Sequence, residues 1–463
     1  MGPVIVSANG TEPQLSTAAL AEADMASRLL TDSVAQGLVR FDATGQIVPG
    51  VAERWIVTDE GRTYIFRLRA MSWADGRPMR AAEVVAILRR RLQQRARNPL
   101  APYLTAVDTI VEMTPEVIQV ELTAPRPDLL KLFAQPDMAI VHPTRRIGTG
   151  PMRVVSAAGA VTRLRPIPDP NRSPDEQGEP APEDDVLLIA ERAAAGIARF
   201  SQRKSDLFAG GTLREWPLLA AAGIAPADVR LDPAAGLFGL AIARPEGFLA
   251  TAENRAAIAL AFDRPALVRS VTADWQPAED LLPAALDSAS PPARAPWQAV
   301  AGQDRQALAR TRVDAWRGAG NEAPELRIAL PEGAGGTLLW ARLAADLYAI
   351  GIRPLRVRPD AADADLRLID AVAPFDSGRW YLDQACQPCG EAATEAIDAA
   401  RLAPTLAERA RAIAAADRLL AEDVAFIPLA RALRWSLVTP RLRAWQANER
   451  AWHALNRLRR DPT

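Results

Sequence analysis

Hydrophobic and polar positions alternate in the first part of the chain, in short runs that end at turn-forming residues. Residues 37–41 and 46–49 are two such runs, joined by Asp-Ala-Thr-Gly. Residues 55–58 and 63–69 are a second pair, joined by Asp-Glu-Gly-Arg. Runs of β-branched and aromatic residues bounded by Asp and Gly are typical of hairpins, because Asp and Gly tolerate the turn dihedrals. The pattern predicts two β-hairpins.

An amphipathic helix is predicted to follow them over residues 81–97. Its apolar stripe consists of Val84, Val85, Ile87, Leu88 and Leu92. Most of the run 89–91, which is Arg-Arg-Arg, lies off this stripe. We therefore favour a solvated face for these arginines over a binding site for an anionic partner.

The second half of the chain alternates between helical and extended patterns. Helices are predicted at 253–271, 305–317, 337–350, 391–402 and 406–420. Strands are predicted at 326–330, 352–357, 364–371 and 424–429. Gly318 and Gly351 stand where a helix should stop. Helices and strands in alternation predict an α/β domain whose sheet is covered by helices.

Two features suggest where the chain divides. A boundary is predicted near residues 141–150, before a short strand pair at 152–156 and 161–165. Residues 166–185 are then rich in proline and acidic residues. Proline fixes φ and removes a backbone donor, so this stretch is predicted to be an exposed loop.

Composition is that of an ordinary soluble globular protein. The chain has 463 residues, is 49% hydrophobic and 24% charged, and carries a net charge of −1. No basic stripe indicates a nucleic-acid partner, and no apolar run reaches the ~18–20 residues of a membrane span. The first residues show no charged and apolar segments of a secretion signal. Composition alone thus favours a cytoplasmic protein of about three domains.

The residue types that carry most enzyme chemistry are scarce. The only histidines are His142 and His453, far apart in the chain, so we expect no metal and no cofactor. The Gly-rich run 333–336 lacks the lysine and spacing of a phosphate-binding loop. No Gly-x-Ser-x-Gly nucleophile motif occurs. These residue patterns do not by themselves indicate an enzyme site.

Residues 73–78, Trp-Ala-Asp-Gly-Arg-Pro, could be mistaken for a catalytic carboxylate site. Asp and Gly form turns, and a neighbouring Trp most simply packs such a turn onto a core. We favour this structural interpretation.

Cys386 and Cys389 form a Cys-x-x-Cys motif just before the predicted helix 391–402. A helix N-terminus lowers the pKa of a thiol, which suits redox chemistry. Residues 375–379, before the motif, are predicted to be a loop, however, whereas thioredoxin-type motifs follow a strand. A local structural disulfide is favoured, with free thiols and a redox or metal-binding pair as alternatives.

Several segments, taken in chain order, resemble one known family. They are residues 36–39, 49–55, 66–69, 73–78, 147–151, 202–207, 254–264, 343–352 and 426–429. In this order they are similar to the family-5 extracytoplasmic solute-binding proteins, the peptide- and nickel-type receptors of ABC importers. One departure is Arg80, which stands where the family has the Thr of a helix capping box, although Glu83 remains.

The resemblance implies an α/β, two-lobed periplasmic-binding-protein type II fold with an additional inserted α+β domain. Lobe I would comprise residues 1–41, 147–235 and 436–463. The inserted hairpin and helix domain would be 42–146, and lobe II 236–435.

The resemblance also implies function. The protein would capture a small solute between two hinged lobes and deliver it to the permease and ATPase of an ABC importer. It would break no bond and would not be an enzyme. An oligopeptide is the leading ligand, ahead of sugars, opines and nickel chelates. The protein would be a monomer, periplasmic or tethered to the outer face of a membrane, its signal removed, which reverses the cytoplasmic interpretation. A CxxC thiol-disulfide oxidoreductase and a solute sensor or chaperone are the alternatives.

The ligand-binding residues are predicted within residues 370–383. In peptide-binding relatives, an acid in this region holds the α-amino group of the ligand, and Asp376 is favoured over Asp370 for that role. Arg379, Trp380 and Tyr381 would supply charge and aromatic surface, as a polar ligand requires. The alternative is an exposed loop that packs Trp380 on its neighbours. Further candidates, each more easily explained as core residues, are Phe238, Trp275 and Trp340.

Overall fold

The computed structural model describes residues 2–15, 23–93, 98–167, 180–283 and 286–458. Most of the loop predicted at 166–185, and the end of the helix predicted at 81–97, lie outside these residues. The chain forms two compact units. Unit 1 comprises Met1–Gly211, Leu218–Pro233 and Arg434–Thr463, and unit 2 comprises Thr212–Pro217 and Ala234–Leu433. The three-part division stays a prediction.

Unit 1 is built on β-sheets. Its strands are β1 (Val4–Asn9), β2 (Val39–Phe41), β3 (Ile47–Pro49), β4 (Ala52–Thr58), β5 (Thr63–Leu68), β6 (Val107–Thr114), β7 (Val117–Leu122), β8 (Met152–Ala158), β9 (Val161–Pro166), β10 (Val186–Glu191), β11 (Leu207–Gly211), β12 (Val229–Leu231) and β18 (Trp435–Val438). The helices are α1 (Met25–Val34), α2 (Ala81–Leu92), α3 (Leu129–Phe133), α4 (Ala193–Ser201) and, starting at the unit boundary, α5 (Pro217–Ala221).

The largest sheet of unit 1 has seven strands in the order β12-β18-β11-β1-β10-β9-β8. β1 is parallel to β10 and β11, whereas the outer strands pair antiparallel. Val4, Val6 and Ala8 alternate along β1 and belong to the buried core that α1 also enters. This period of two is what a half-buried strand requires.

Both predicted hairpins are present in unit 1. β2 pairs antiparallel with β3, and β4 pairs antiparallel with β5 in a four-stranded sheet of order β4-β5-β7-β6. In the first turn, Asp42 Oδ1 accepts the backbone N–H groups of Thr44 at 2.8 Å and Gln46 at 2.9 Å. Gly45 takes a φ of 84°, which a side chain would disfavour.

The glycines of residues 147–151 pack against the end of α1. A Cβ atom on Gly150 would lie 2.5 Å from the backbone nitrogen of Ala35, and one on Gly148 would lie 2.7 Å from the Cα of Ala35. Gly150 also donates its N–H to the carbonyl oxygen of Val34 at 2.9 Å. Only glycine permits this approach of two backbones.

Unit 2 is an α/β layer structure. Its strands are β13 (Gly236–Ile242), β14 (Glu325–Ala329), β15 (Arg353–Val357), β16 (Leu366–Val372) and β17 (Phe426–Ala430). Its helices are α6 (Ala252–Ala261), α7 (Arg264–Arg269), α8 (Gly302–Gly318), α9 (Ala334–Ala349), α10 (Gly378–Ala385), α11 (Glu391–Leu402) and α12 (Leu406–Asp423). The sheet order is β15-β14-β16-β13-β17, with β14 parallel to both of its neighbours.

The single helix predicted at 253–271 is wrong, because the structure has α6 and α7 in its place. α7 begins at Arg264 with Pro265 in its first turn, and Asp263 caps it by accepting the Ala266 N–H at 2.8 Å. Proline has no N–H group and cannot continue the backbone hydrogen bonds of α6, but it fits the first turn of a helix, so a new helix starts here. None of the helices described for the two units is long and apolar enough to cross a bilayer.

Candidate functional site

Four predicted ligand residues lie where β16 leads into α10. Ser377 caps α10, and its Oγ accepts the Arg379 N–H at 3.3 Å. Asp376 is half-buried in the preceding turn, whereas the Arg379, Trp380 and Tyr381 residues are 3%, 4% and 1% exposed. The loop predicted over 375–379 therefore ends at Ser377, where α10 begins. The alternative prediction of an exposed loop is wrong for Arg379, Trp380 and Tyr381, which are helical and buried. The short pattern Gly-Arg-Trp-Tyr did not reveal the helix.

A network of polar side chains holds the N-terminus of α10. The carboxylate of Asp287 accepts the Gly378 N–H at 2.7 Å and the Ser377 hydroxyl at 2.9 Å. Arg409 of α12 donates to Asp287 at 3.2 Å and to Ser377 Oγ at 2.7 Å. A carboxylate at a helix N-terminus is stabilising, and the half-buried Asp287 also supplies the anionic partner that the buried guanidinium of Arg409 needs. Asp287 and Arg409 thus position α10, and no local sequence pattern indicated them.

The side chains of α10 interact with one another. Trp380 and Tyr381 meet edge to face, with ring centroids 4.9 Å apart. Arg379 lies 3.5 Å from the carboxylate of Asp383, one helical turn further on. α10 thereby combines a guanidinium, two aromatic rings and, just before it, the Asp376 carboxylate. These residue types suit a polar ligand that also has apolar surface, but Arg379, Trp380 and Tyr381 are as buried here as core residues are.

Asp370 and Phe238 are register partners on the adjacent strands β16 and β13. The Phe238 ring lies 5.1 Å from that of Trp275, whose Nε1–H donates to the Arg431 carbonyl oxygen at 2.7 Å. Phe238 and Trp275 are only 1% and 3% exposed. Both are core residues, and α10 contacts β13, the strand that carries Phe238.

An open surface pocket of about 420 Å³ lies in unit 2, along the loop that carries Asp287. Its lining is mostly apolar: Leu282, Pro283, Leu286, Ser288, Ala289, Ser290, Pro291 and Pro292. Because Asp287 binds the first backbone N–H of α10, this loop and the helix are held together.

Arg264, the last residue of the family-like segment 254–264, has a structural role. Arg264 is 1% exposed and donates to the carbonyl oxygens of Pro428 at 2.8 Å and Ala259 at 2.9 Å. Burial lowers its pKa to about 10. The guanidinium satisfies carbonyls at the end of α6, so this motif joins a helix end to β17.

Asp417 of α12 is a buried carboxyl group. Its Oδ2 accepts the Ala293 N–H at 2.7 Å, and Oδ1 has no hydrogen-bond partner among the described residues. Burial raises its pKa to about 6, with Asp280 adding to the effect and the Ala293 hydrogen bond opposing it.

The Trp-x-Asp-Gly-x-Pro segment forms a packed turn in unit 1. Trp73 is 2% exposed, and its Nε1–H donates to Glu83 at 3.1 Å. Asp75 is paired with Arg145, which lowers the pKa of the Asp75 carboxyl. Glu83 also accepts the Arg80 N–H at 3.2 Å, so half of the capping box persists without the threonine.

The arginine run 89–91 is only partly solvated. Arg91 is 4% exposed and donates to the Ala139 carbonyl oxygen at 3.4 Å, so a solvated face is wrong for this residue. Burial lowers its pKa. Arg90 is exposed, and so is Arg89 although it donates to the Ile110 carbonyl oxygen.

Each histidine lies beside a carboxylate and a tryptophan in unit 1. His142 is 3.9 Å from Glu83 and edge-on to Trp73. His453 is 3.1 Å from Asp232, its ring 4.6 Å from that of Trp445. In the part of the chain that the structure describes, no three His, Cys, Asp or Glu residues come together as metal ligands.

Cys386 and Cys389 are joined by a disulfide bond. Cys386 follows the last residue of α10, and Cys389 precedes Gly390, the N-cap of α11. The motif is therefore preceded by a helix, in contrast to the strand of thioredoxin-type motifs.

A model of a known protein family, the bacterial extracellular solute-binding proteins, family 5 (middle), matches residues 46–315, more than half of the chain. The chain belongs to solute-binding protein family 5. Among curated relatives, a probable deoxycholate-binding periplasmic protein of Escherichia coli K12, YgiS, is 38% identical over 84 residues. That match spans 18% of this chain and 16% of YgiS.

Two solved structures show how far the family-5 fold extends along the chain. OppA of Haemophilus influenzae in complex with the peptide RPPGFSPFR matches with a TM-score of 0.78 at 16% identity, covering 99% of both chains. The murein tripeptide binding protein MppA of Escherichia coli matches with a TM-score of 0.79 at 17% identity, covering 98% of this chain and 97% of MppA. The predicted α/β periplasmic-binding-protein fold is confirmed.

Proposed function

We propose that this family-5 protein is an extracytoplasmic receptor that binds an oligopeptide and delivers it to the permease and ATPase of an ABC importer. Family membership carries the proposal. The two structural neighbours described above add support, since one was solved with a peptide and the other is named for a tripeptide. On this proposal the chain breaks no bond and needs no cofactor or metal.

The proposed ligand contacts are Asp376, Arg379, Trp380 and Tyr381. A peptide carries an α-ammonium group, an α-carboxylate and apolar side chains. Asp376 would pair with the ammonium group and Arg379 with the carboxylate, while the rings of α10 would supply apolar contact. Asp370 is the second candidate for the ammonium group. Phe238 and Trp275 would support α10 from the core without touching the ligand.

The disulfide supports an extracytoplasmic location. Disulfides persist in oxidising compartments and are rare in reducing cytosol. Cys386 and Cys389 are bonded here. A protein of the periplasm, or one tethered to the outer face of a membrane, can maintain such a bond.

A ligand screen tests the proposal directly. Peptides of two to five residues are added to the purified protein, and the melting temperature is measured before calorimetry on any hit. A ligand at 100 times its Kd should stabilise the folded state by ~2.7 kcal/mol. N-acetylated peptides are the matched control, because they lack the ammonium group that Asp376 would bind. Failure of every peptide to bind, or equal binding of the acetylated forms, would contradict this assignment.

Deoxycholate is the second candidate ligand, because YgiS, a probable deoxycholate-binding protein, is 38% identical over the matched 84 residues. Deoxycholate has a carboxylate and a rigid apolar body but no ammonium group. Its binding would depend on Arg379 and the α10 rings and would be insensitive to Asp376→Asn. Calorimetry with deoxycholate, on the wild type and that variant, separates it from a peptide ligand.

Hinge closure would accompany binding, because a ligand stabilises whichever state it binds more tightly. Small-angle scattering with and without the ligand measures it. We expect the radius of gyration to fall at saturating ligand; an unchanged value would argue against closure. Size-exclusion chromatography with light scattering tests the expected monomer.

A further inference from the structure

We propose that Cys386–Cys389 is a site of thiol–disulfide exchange, at which a dithiol reductant attacks Cys386 and Cys389 departs as the thiolate. This proposal is independent of the ligand. It rests on the position of the bond between two helix ends and on the neighbours of each sulfur atom.

The two helices polarise the bond in the same sense. Cys386 follows the C-terminus of α10 and donates its N–H to the Leu382 carbonyl oxygen at 3.1 Å. Cys389 lies at the N-terminus of α11, a helix of 12 residues. The negative end of one helix dipole disfavours a thiolate at Cys386, whereas the positive end of the other favours it at Cys389.

A side-chain hydroxyl supports the same assignment. Thr394 Oγ1 lies 3.6 Å from Cys389 Sγ and 3.2 Å from the Gly390 carbonyl oxygen. The single hydrogen of this hydroxyl is donated to the Gly390 carbonyl oxygen while the disulfide is intact. When Cys389 becomes a thiolate, the hydroxyl can turn and donate to the charged sulfur, which is the stronger acceptor. Glu391 in the first turn opposes the effect, but its side chain is exposed and therefore screened.

The position of the disulfide suits thiol–disulfide exchange better than a role in stabilising the fold. The bond closes a loop between residues only three apart in sequence, and the stabilisation from a disulfide is smallest for short loops. Both cysteines are half-buried and Pro388 between them is exposed, so an external thiol can approach. The motif connects α10 with α11, so opening it releases a constraint at the end of the helix that carries Trp380.

The exchange balances in two steps. A thiolate of the reductant attacks Cys386 Sγ and forms a mixed disulfide, while the Sγ–Sγ bond breaks and its electron pair goes to Cys389. The second thiolate of the reductant then attacks the reductant sulfur of the mixed disulfide and releases Cys386 as a thiolate. Cys386 and Cys389 take up two protons from water, which match the two that the reductant thiols lost. The dithiol is oxidised to a disulfide, and the protein disulfide is reduced to two thiols.

Trapping identifies the sulfur that is attacked. The oxidised full chain is mixed with limiting glutathione, quenched with acid, and mapped by mass spectrometry. We expect the glutathione adduct on Cys386. An adduct found mainly on Cys389 overturns the proposal.

Single-cysteine variants test the polarity of the bond. Cys386→Ser leaves Cys389 as the only thiol, and Cys389→Ser leaves Cys386. The pH dependence of alkylation should give a Cys389 thiol pKa at least about one unit below that of Cys386, and below the ordinary value of about 8.5. Equal values, or the reverse order, overturn the proposal.

Thr394 provides a matched pair of variants, and its side chain is exposed, so both should fold. With dithiothreitol in excess, Thr394→Val should slow reduction by about three- to tenfold, because the thiolate loses its donor, whereas Thr394→Ser should keep the wild-type rate. A Thr394→Val rate within twofold of the wild type overturns the role of the hydroxyl.

Repeating the assay with reduced thioredoxin at equal concentration distinguishes the source of the reductant. A rate faster than that with dithiothreitol supports a protein dithiol, and a slower rate supports a small molecule.

Discussion

The guanidinium carbon of Arg264 lies 4.4 Å from the centre of the Trp297 ring, within the core of unit 2. Arg305 approaches the same ring at 5.3 Å and is paired with Glu279. The pKa of Arg264, lowered to about 10, still leaves it charged near neutral pH. A buried cation is thus held by an aromatic face and by the backbone carbonyls that it bonds.

Replacing Arg264 should be strongly destabilising. In Arg264→Met the stem keeps much of its packing, but the carbonyls of Pro428 and Ala259 lose their donor. We expect a loss of about 3–5 kcal/mol in the free energy of unfolding, because buried acceptors would be left unsatisfied. Urea unfolding followed by circular dichroism measures it. Arg411→Ala, at an exposed position of α12, is the control and should change stability by less than about 0.5 kcal/mol. Similar effects for the two variants would show that Arg264 is not a structural anchor.

Asp417 should make stability depend on pH. Its pKa rises from an ordinary 3.8 to about 6 on folding, so the folded state binds the proton more tightly than the unfolded state. The resulting stabilisation is fully present below about pH 4 and is lost as the pH rises through about 6. At pH 8 the buried carboxylate costs on the order of 3 kcal/mol.

Asp417→Asn tests this dependence. The amide oxygen can still accept the Ala293 N–H, and no charge is buried. We expect the variant to melt above the wild type at pH 8 and close to it at pH 4. Asp314→Asn, at an exposed position of α8, should not shift the melting temperature at either pH. A stabilisation by Asp417→Asn that is equal at both values would rule out titration as its cause.

Gly150 should not tolerate a side chain. In Gly150→Ala the new Cβ would meet backbone atoms at the end of α1, which cannot move as a flexible side chain can. We expect a loss of more than about 2 kcal/mol in the free energy of unfolding.

Gly318→Ala is the matched control for that change. Among the described residues, no atom beyond its chain neighbours and its own helix backbone lies within 4 Å of a Cβ at Gly318, the last residue of α8. Alanine is the better helix former, so this variant should be neutral or slightly stabilising, by up to about 1 kcal/mol. Thermal unfolding compares the two, and a Gly150→Ala variant as stable as Gly318→Ala would refute the close approach.

Asp376→Asn should weaken peptide binding while leaving the fold intact. Loss of an ammonium–carboxylate pair should raise the Kd at least about tenfold, measured by calorimetry. Asp370→Asn is the alternative, and a larger effect there would reassign the ammonium contact to β16. Trp275→Phe is the contrasting change. It should lower the melting temperature without this selective loss for free-amino peptides, because Trp275 is a core residue bonded to the Arg431 carbonyl oxygen.

Features set by neighbours in the chain were predictable from the sequence. The hairpins of β2–β5 follow from Asp and Gly turns, and α8 and α9 end where Gly318 and the segment before Gly351 indicated. The break between α6 and α7 was also present in the sequence as Asp263 and Pro265. The break was missed because apolar residues continue at helical spacing on both sides of it.

Features that depend on distant residues were not predictable. α10 is helical because Asp287 and Arg409, distant from it in the chain, satisfy its N-terminus. The buried state of Arg91 requires the Ala139 carbonyl, and that of Arg264 requires Trp297 and Pro428. None of these partners lies within a helical turn of the residue that it stabilises, so the contacts could not be predicted from neighbouring residues in the sequence.

The sequence by itself determined the alternation of strands and helices, the turn positions and the family, because each depends on residues at short, regular spacing. Only the tertiary structure decided which polar groups are buried and what satisfies them. A charge can leave water only where distant backbone and side-chain partners converge on it. That convergence turned the predicted loop after β16 into α10, in which Arg379, Trp380 and Tyr381 lie buried.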